Sequence, residues 1–202
     1  MNPQALVAEI TAAFHEEPYP GDENIVYDNT GTHSECEEIR EAFKGHRWQQ
    51  VPDEVLSREN TGLSCMSEQG FKYYLPAFMC ALLRDRAIVG GGIDMVILML
   101  KLPTEIDIAV VAEQLQRYAV PSKVPTALLN DVLQNQLAQT NDSINEFVAR
   151  ASQFTQAQGR AICHFLTYIR DEFNEEDDAF LNSEAGLAIR RYWFQFSPPP
   201  TK

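Results

Sequence analysis

Apolar residues recur every three or four positions along most of this chain, and this spacing restricts what it can fold into. Such a period places them on one face of an α-helix, whereas a half-buried strand requires strict alternation. Three segments follow it clearly: Leu6, Ile10 and Phe14; Phe71, Tyr74, Leu75, Phe78 and Leu82; and Ile162, Phe165, Leu166, Ile169 and Phe173. Only residues 24–28 have a composition that suits a strand. The sequence therefore predicts an all-α fold, a compact multi-helix domain.

Polar residues and glycine predict where several helices begin and end. Ser34 with Glu37, and Thr155 with Gln158, have the spacing of a capping box, in which each side chain bonds the backbone of the other residue. Gly45 follows the helix that Ser34 opens, and glycine suits the left-handed conformation that ends many helices. We therefore expect helices that begin near residues 34 and 155, the first of them ending at Gly45.

The length of 202 residues suffices for one well-buried core with at most a small appended part. Residues 104–145 contain many Gln and Asn and few aromatic residues, and we interpret them as an inserted helical hairpin. An ordered loop rich in Pro, Gly and Asp precedes the second helix. Residues 197–202 include three consecutive prolines and predict a disordered or extended tail. The predicted organisation is one helical domain over residues 1–196, with this insertion and this tail.

The chain is strongly acidic, with 29 acidic against 16 basic residues and a formal net charge of -13. That charge repels nucleic acid and anionic membrane surfaces, so we expect neither as a partner. The N-terminal residues lack the basic and apolar regions of a secretory signal, and the longest apolar run, residues 93–102, is too short to span a membrane. We therefore predict a cytoplasmic protein whose four cysteines are free and mostly packed.

Four segments of the chain form a recognisable series: PYPGDENIVYD at 18–28, CEEIREAFKGHRW at 36–48, GFKYYLPAFM at 70–79 and RAICHFLTYIRDE at 160–172. Together they resemble an uncharacterised family of bacterial proteins, known only as a domain of unknown function. The similarity covers residues 8–86 and 146–193, and residues 104–145 look like an addition to the usual pattern. The resemblance implies a bacterial origin and a helical domain, and it assigns no residue a role.

The loop over residues 18–32 presents the most concentrated candidates for a site. Proline and glycine fix its turns, and candidate side chains stand in it or directly after it: Tyr19, Asp22, Tyr27, Asp28 and His33. Asp22, Asp28 and His33 are candidate metal ligands, since carboxylates and imidazole bind divalent cations. Their spacing matches no established metal motif. Local turns and favourable charge near a helix N-terminus explain the same residues more simply.

A second cluster combines basic and aromatic residues: Arg40, Lys44, His46, Arg47 and Trp48. It suits a carboxylate or phosphate group, or pairing with the acidic residues of the loop. Trp48 and Tyr73 are large rigid side chains of the kind that anchor interfaces when exposed and otherwise fill a core. The pattern defines His46, Trp48 and Tyr73 as candidate binding residues.

An acidic run near the C-terminus completes the candidates: Glu175, Glu176, Asp177 and Asp178. These residues follow a predicted helix, whose C-terminal end disfavours negative charge, and a basic partner surface would compensate them. The sequence contains no motif of a catalytic nucleophile, a nucleotide-binding loop or a cofactor enzyme, and we predict no cofactor.

These features favour a non-enzymatic, intracellular bacterial factor that binds a protein with a basic surface, for example an immunity or antitoxin-like protein. Two alternatives stay open. One is a small metal-dependent hydrolase that uses residues 19–38 around Asp22, Asp28 and His33. The other is a domain that binds a small ligand between this loop and the predicted helix over residues 71–79.

Overall fold

The computed structural model describes residues 2–108, 126–172 and 179–197. The helices of these residues are α1 Pro3–Ala13, α2 Ser34–Phe43, α3 Asp53–Arg58, α4 Glu68–Arg84, α5 Arg86–Val89, α6 Gly92–Leu100, α7 Thr126–Ala151, α8 Gln156–Glu172 and α9 Ala179–Arg191. Short 3-10 turns lie at Asp22–Asn24, Trp48–Gln50, Gly62–Ser64 and Trp193–Phe196. Within the described ranges there is no β-strand, and residues 24–28 contribute an isolated antiparallel bridge between Val26 and Met66. The all-α prediction is confirmed.

The chain divides into two compact units. The first combines Met1–Lys101 with Arg150–Lys202, and the second is Leu102–Ala149. The predicted hairpin over residues 104–145 falls within the second unit, and it stays a prediction because residues 109–125 lie outside the described residues. The predicted single domain over residues 1–196 and the predicted tail also stay predictions, and residues 198–202 are likewise outside the described ranges.

Aromatic and aliphatic side chains fill the core of the first unit. In this unit α1 packs against α4 and α8, and α9 packs against α6 and α8. The described residues of the three predicted apolar stripes are all buried, and Phe173 lies outside the described residues. Trp193 is also fully buried, and its indole Nε1 donates a 2.6 Å hydrogen bond to the carbonyl oxygen of Leu100. Since full burial of such a side chain stabilises the fold by roughly 1.5–3 kcal/mol, these stripes are the main source of stability.

The capping predictions have different outcomes. At α8 the box is present: the Thr155 N–H donates to Gln158 Oε1 at 3.0 Å, and the Gln158 N–H donates to Thr155 Oγ1 at 3.3 Å. At α2 the predicted Ser34 box is wrong, because His33 is the N-cap and makes no side-chain capping bond. Gly45 has a φ of +74° directly after the end of α2, which confirms its predicted role.

Hydrogen bonds connect the loop before α2 to the N-terminal end of α4. The Ser67 N–H donates to the carbonyl oxygen of Ile25 at 3.0 Å, and the Ser67 hydroxyl donates to the carbonyl of Asn24. The same hydroxyl accepts from the Gly70 N–H at 3.0 Å and so caps α4. Gly70 permits this approach, because a Cβ at this position would lie 2.0 Å from the Ile25 carbonyl oxygen. The loop therefore has a fixed position against α4.

We expect Gly70→Ala to destabilise the protein by about 3 kcal/mol, because its new methyl group forces the loop backbone away from α4. Gly91→Ala is the matched control, since a Cβ at Gly91 meets nothing within 4 Å and its φ is negative. This control should change stability by no more than about 0.5 kcal/mol. Urea unfolding of the three proteins measures both effects, and equal stability of the two variants would contradict the loop placement.

Candidate functional site

A cleft of about 410 Å³ in the first unit, here called the tyrosine cleft, lies where α1, α2 and α4 come together. It is lined by His15, Glu17, Tyr19, Gly45, His46, Arg47, Gln49 and Tyr73. These residues come from the end of α1, the following loop, the turn after α2 and the middle of α4. The cleft therefore combines the loop and the basic aromatic cluster, which the sequence analysis treated separately.

The turn after α2 forms one wall of the tyrosine cleft. The hydroxyl of Tyr74, a buried residue of α4, donates to the carbonyl oxygens of Phe43 at 2.8 Å and His46 at 3.0 Å. The N–H of Gly45 donates to the Tyr19 hydroxyl at 3.0 Å. Burial raises the pKa of Tyr74, so its hydroxyl stays protonated as the donor that this turn requires.

Two tyrosine rings form the opposite wall. Tyr19 and Tyr73 meet edge to face with ring centroids 5.4 Å apart, and Tyr73 meets Tyr74 in the same way at 4.9 Å. The Tyr19 hydroxyl is fully used, since it donates to Asp22 as well as accepting from Gly45. Partial burial and the neighbouring Asp22 carboxylate raise the pKa of Tyr19.

The hydroxyl of Tyr73 is different, because it has no hydrogen-bond partner in the part of the chain that the structure describes. Tyr73 is only 4% exposed, yet no fully enclosed side-chain oxygen or nitrogen of the described residues lacks a partner. Its hydroxyl therefore reaches the cleft that the residue lines. Because it reaches the cleft, this hydroxyl is open to water or to a ligand there and does not carry the penalty of an enclosed, unpaired donor.

The charged groups that line the cleft differ in whether they have an ion-pair partner. The Glu17 carboxylate lies 3.0 Å from Lys72 Nζ and accepts a 2.7 Å hydrogen bond from Gln158, so its charge is compensated. Arg47 is exposed and forms no ion pair with the described residues. His15 pairs with Glu16 at 2.8 Å. The guanidinium of Arg47 therefore lines the cleft without a carboxylate partner among the described residues, although the protein has a net charge of -13.

A second, shallower cavity of about 450 Å³, here called the Tyr27 groove, lies on the same unit. It is lined by Glu23, Asn24, Val26, Tyr27, Asn29, Ser67, Glu68 and Gln69. The bridge between Val26 and Met66 and the bonds from Ser67 hold its two sides together. Tyr27 is 59% exposed and contacts His33 edge to face at 5.9 Å between ring centroids.

Asp28 organises the part of the loop that carries Tyr27. Its Oδ1 accepts from the N–H and the hydroxyl of Thr30, at 2.9 and 2.6 Å. Its Oδ2 lies 3.2 Å from the N–H and 2.5 Å from Nδ1 of His33. These bonds to Thr30 and then His33 hold the pKa of Asp28 far below its ordinary value. One of these bonds holds the backbone N–H of His33, the residue directly before α2.

The proposed metal ligands are separated by the structure. Asp22 accepts from Tyr19, whereas Asp28 and His33 bind each other. Among the described residues, no group of three His, Cys, Asp or Glu side chains has the arrangement of a metal site. Both carboxylate oxygens of Asp28 accept hydrogen bonds from nearby residues of the chain, Thr30 and His33.

The other predicted site residues lie in a cavity, in the core or outside the described residues. Tyr19, His46 and Tyr73 line the tyrosine cleft, and Tyr27 lines the groove. Trp48 is buried, and its Nε1 donates to the Phe14 carbonyl at 3.3 Å, so it belongs to the core. The acidic run lies outside the described residues: Glu175, Glu176, Asp177 and Asp178.

Three residues of the tyrosine cleft were not predicted from the sequence: His15, Glu17 and Gln49. They stand at the end of one helix and in a turn about thirty residues away, so no periodic pattern connects them. The only local signal is that polar residues replace the apolar stripe where α1 ends. Their convergence depends on how α1 and the turn after α2 pack on α4.

Taken together, the helices and the two cavities define an all-α protein with two candidate binding sites in its first unit. The chain belongs to the family of unknown function DUF6714, whose model matches residues 2–197. The predicted resemblance to an uncharacterised family is therefore confirmed, and the matched span includes residues 104–145. No curated protein and no solved structure matches the chain. None of the described helices is long and apolar enough to cross a membrane.

We expect Tyr74→Phe to lower the free energy of unfolding by about 1–3 kcal/mol, because the carbonyls of Phe43 and His46 lose their buried donor. Tyr73→Phe is the matched comparison on the same helix. It removes a hydroxyl without a protein partner, and its effect should stay within about 0.5 kcal/mol. Urea unfolding measures both, and a larger loss for Tyr73→Phe would contradict the assigned bonding.

The lowered pKa of Asp28 predicts a contribution to acid stability. An unfolded Asp titrates near pH ~3.9, so this contribution is present above that pH and is lost as the pH falls below it. Asp28→Asn should be less stable than the wild type at neutral pH, and the difference should shrink in acid. Asp142→Asn, at an exposed carboxylate of α7, is the control. Urea unfolding at neutral and acid pH checks this, and a pH-independent difference would disprove it.

Proposed function

We propose that this protein is a non-enzymatic protein-binding factor that holds a basic segment of its partner in the Tyr27 groove. The observation that carries the proposal is Tyr27 itself, an aromatic side chain 59% exposed on a loop that Asp28 and Ser67 hold in place. Exposed tyrosines on rigid supports are frequent anchors of protein interfaces.

The charges around the groove support a basic partner. Glu23 lines it with a side chain that is 75% exposed and lies 3.9 Å from Arg40, and Glu68 also lines the groove. A Lys or Arg side chain placed over the Tyr27 ring gains a cation–π interaction and lies near both carboxylates. The net charge of -13 adds long-range attraction for a basic surface and increases the association rate at low salt.

The proposed class is a cytoplasmic bacterial factor of the immunity or antitoxin kind, which covers a basic toxin surface. Such a factor requires a preformed acidic surface rather than catalytic groups, and the Tyr27 groove suits that requirement. The alternative of a metal-dependent hydrolase has no comparable support, since its proposed ligands occupy different positions within the described residues.

Affinity capture from the native host, followed by calorimetry with the captured protein, tests the proposal. Tyr27→Ala should weaken the complex by about 30-fold, which corresponds to roughly 2 kcal/mol. Phe194→Ala is the matched control, because Phe194 is 60% exposed and does not line the groove. Equal affinity of the two variants, or recovery of no stoichiometric partner, would overturn the proposal.

Charge reversal provides an independent arm of the same experiment. Glu23→Lys should slow association and reduce its salt dependence, because the exposed carboxylate lies at the edge of the groove. Reversal of the C-terminal acidic run tests whether that segment also contributes: Glu175, Glu176, Asp177 and Asp178. Binding that is insensitive to Glu23→Lys and to this reversal would contradict a basic partner.

A further inference from the structure

We infer that the tyrosine cleft binds the anionic group of a small aromatic carboxylate or phosphate, with the Arg47 guanidinium and the Tyr73 hydroxyl as its donors. This site is separate from the Tyr27 groove, because the two cavities share no lining residue. It supports the alternative that the loop and α4 enclose a small ligand, and it goes beyond the proposed protein-binding function.

The first donor is Arg47. Its guanidinium stays charged at every physiological pH and presents a planar set of N–H groups that matches a carboxylate or phosphate. Several other arginines of the described residues are paired with carboxylates, for example Arg40 with Glu37 and Arg84 with Asp53. Arg47 lines the cleft without such a pair. Its charge is therefore available to a ligand.

The second donor is the Tyr73 hydroxyl. It is buried with its residue, has no partner among the described residues, and opens onto the cleft. The neighbouring Tyr19 hydroxyl cannot substitute for it, because it already bonds Asp22 and Gly45. A ligand oxygen in the cleft would accept a hydrogen bond from the Tyr73 hydroxyl in place of water.

The carboxylates near the cleft do not prevent an anion from entering. Glu17 is the acidic residue that lines it, and Lys72 and Gln158 hold that carboxylate. Asp22 accepts from the Tyr19 hydroxyl and is not among the lining residues of the cleft. Since Lys72 compensates the one lining carboxylate, the Arg47 guanidinium is left without an ion-pair partner among the described residues.

The size and walls of the cleft indicate more than a bare ion. A cavity of about 410 Å³ is within the range that holds small organic molecules, roughly 300–1,000 Å³. The edge-to-face rings of Tyr19 and Tyr73 provide an aromatic surface, against which a flat ring packs favourably. The inferred ligand therefore combines an anionic group with an aromatic body.

Titration calorimetry of the full chain with benzoate, phenyl phosphate, inorganic phosphate and benzamide tests the inference. Benzoate or phenyl phosphate should bind one to one with a Kd of about 1 mM or tighter, as expected for ligands of this size. Which of the two binds better distinguishes a carboxylate from a phosphate ligand. Benzamide lacks the charge and inorganic phosphate lacks the ring, so both should bind at least about tenfold more weakly.

Variants assign the binding to named groups. Arg47→Gln should weaken the better probe at least about tenfold, and Tyr73→Phe about fivefold, which corresponds to one lost hydrogen bond. Arg160→Gln, an equal change of charge at an exposed residue outside the cleft, should have no effect. Tyr27→Ala should also leave probe binding unchanged, which separates this inference from the proposed function.

Three results would overturn the inference. The first is that neither aromatic anion binds at millimolar concentration. The second is that Arg47→Gln and Arg160→Gln bind the probe equally well, which would indicate binding elsewhere. The third is that benzamide binds as tightly as benzoate, which would show that the cleft recognises the ring and not the charge.

Discussion

The burial of α4 is the constraint on which the first unit depends. Thirteen of its 17 residues are buried, so the rest of the unit must cover it on almost every side. α1 packs along it, Gly70 allows the loop to lie directly against it, and the Tyr74 hydroxyl fixes the turn after α2. The two cavities lie where this covering is incomplete. Tyr73 lines one of them, and the residues that open α4 line the other.

One loop contributes to two sites of opposite charge. Tyr19 belongs to a cleft with an uncompensated arginine, and Tyr27 belongs to a groove with two glutamates. The two aspartates of this loop accept hydrogen bonds from nearby residues: Asp22 from Tyr19, and Asp28 from Thr30 and His33. Their role in the structure is to hold the loop, which gives both tyrosines defined positions. A preordered loop loses less conformational entropy on binding, which favours recognition at either site.

The sequence predicted those features that depend on neighbours within one or two helical turns. The apolar stripes were right because helical spacing alone decides which residues share a face. The Thr155 cap was right because both partners lie within its first turn. The Ser34 cap was wrong because the helix begins one residue earlier than predicted, so that Ser34 is its first residue and His33 is the N-cap, which Asp28 holds by its N–H. Trp48 was predicted as a binding residue because basic residues surround it in the sequence. In the structure it is buried in the core and bonds the Phe14 carbonyl.

By itself the sequence determined the all-α class, the buried faces, the acidic character and the family, since each is carried by composition or by local spacing. Only the tertiary structure decided the sites. His15, Arg47 and Tyr73 line one cleft because α1 and the turn after α2 pack on α4. Asp22 and Asp28 do not form a joint site, because Asp22 accepts from Tyr19 whereas Asp28 bonds His33. The physical reason is that a site requires contacts between residues distant in sequence, and hydrophobic periodicity specifies which face is buried but not what that face meets.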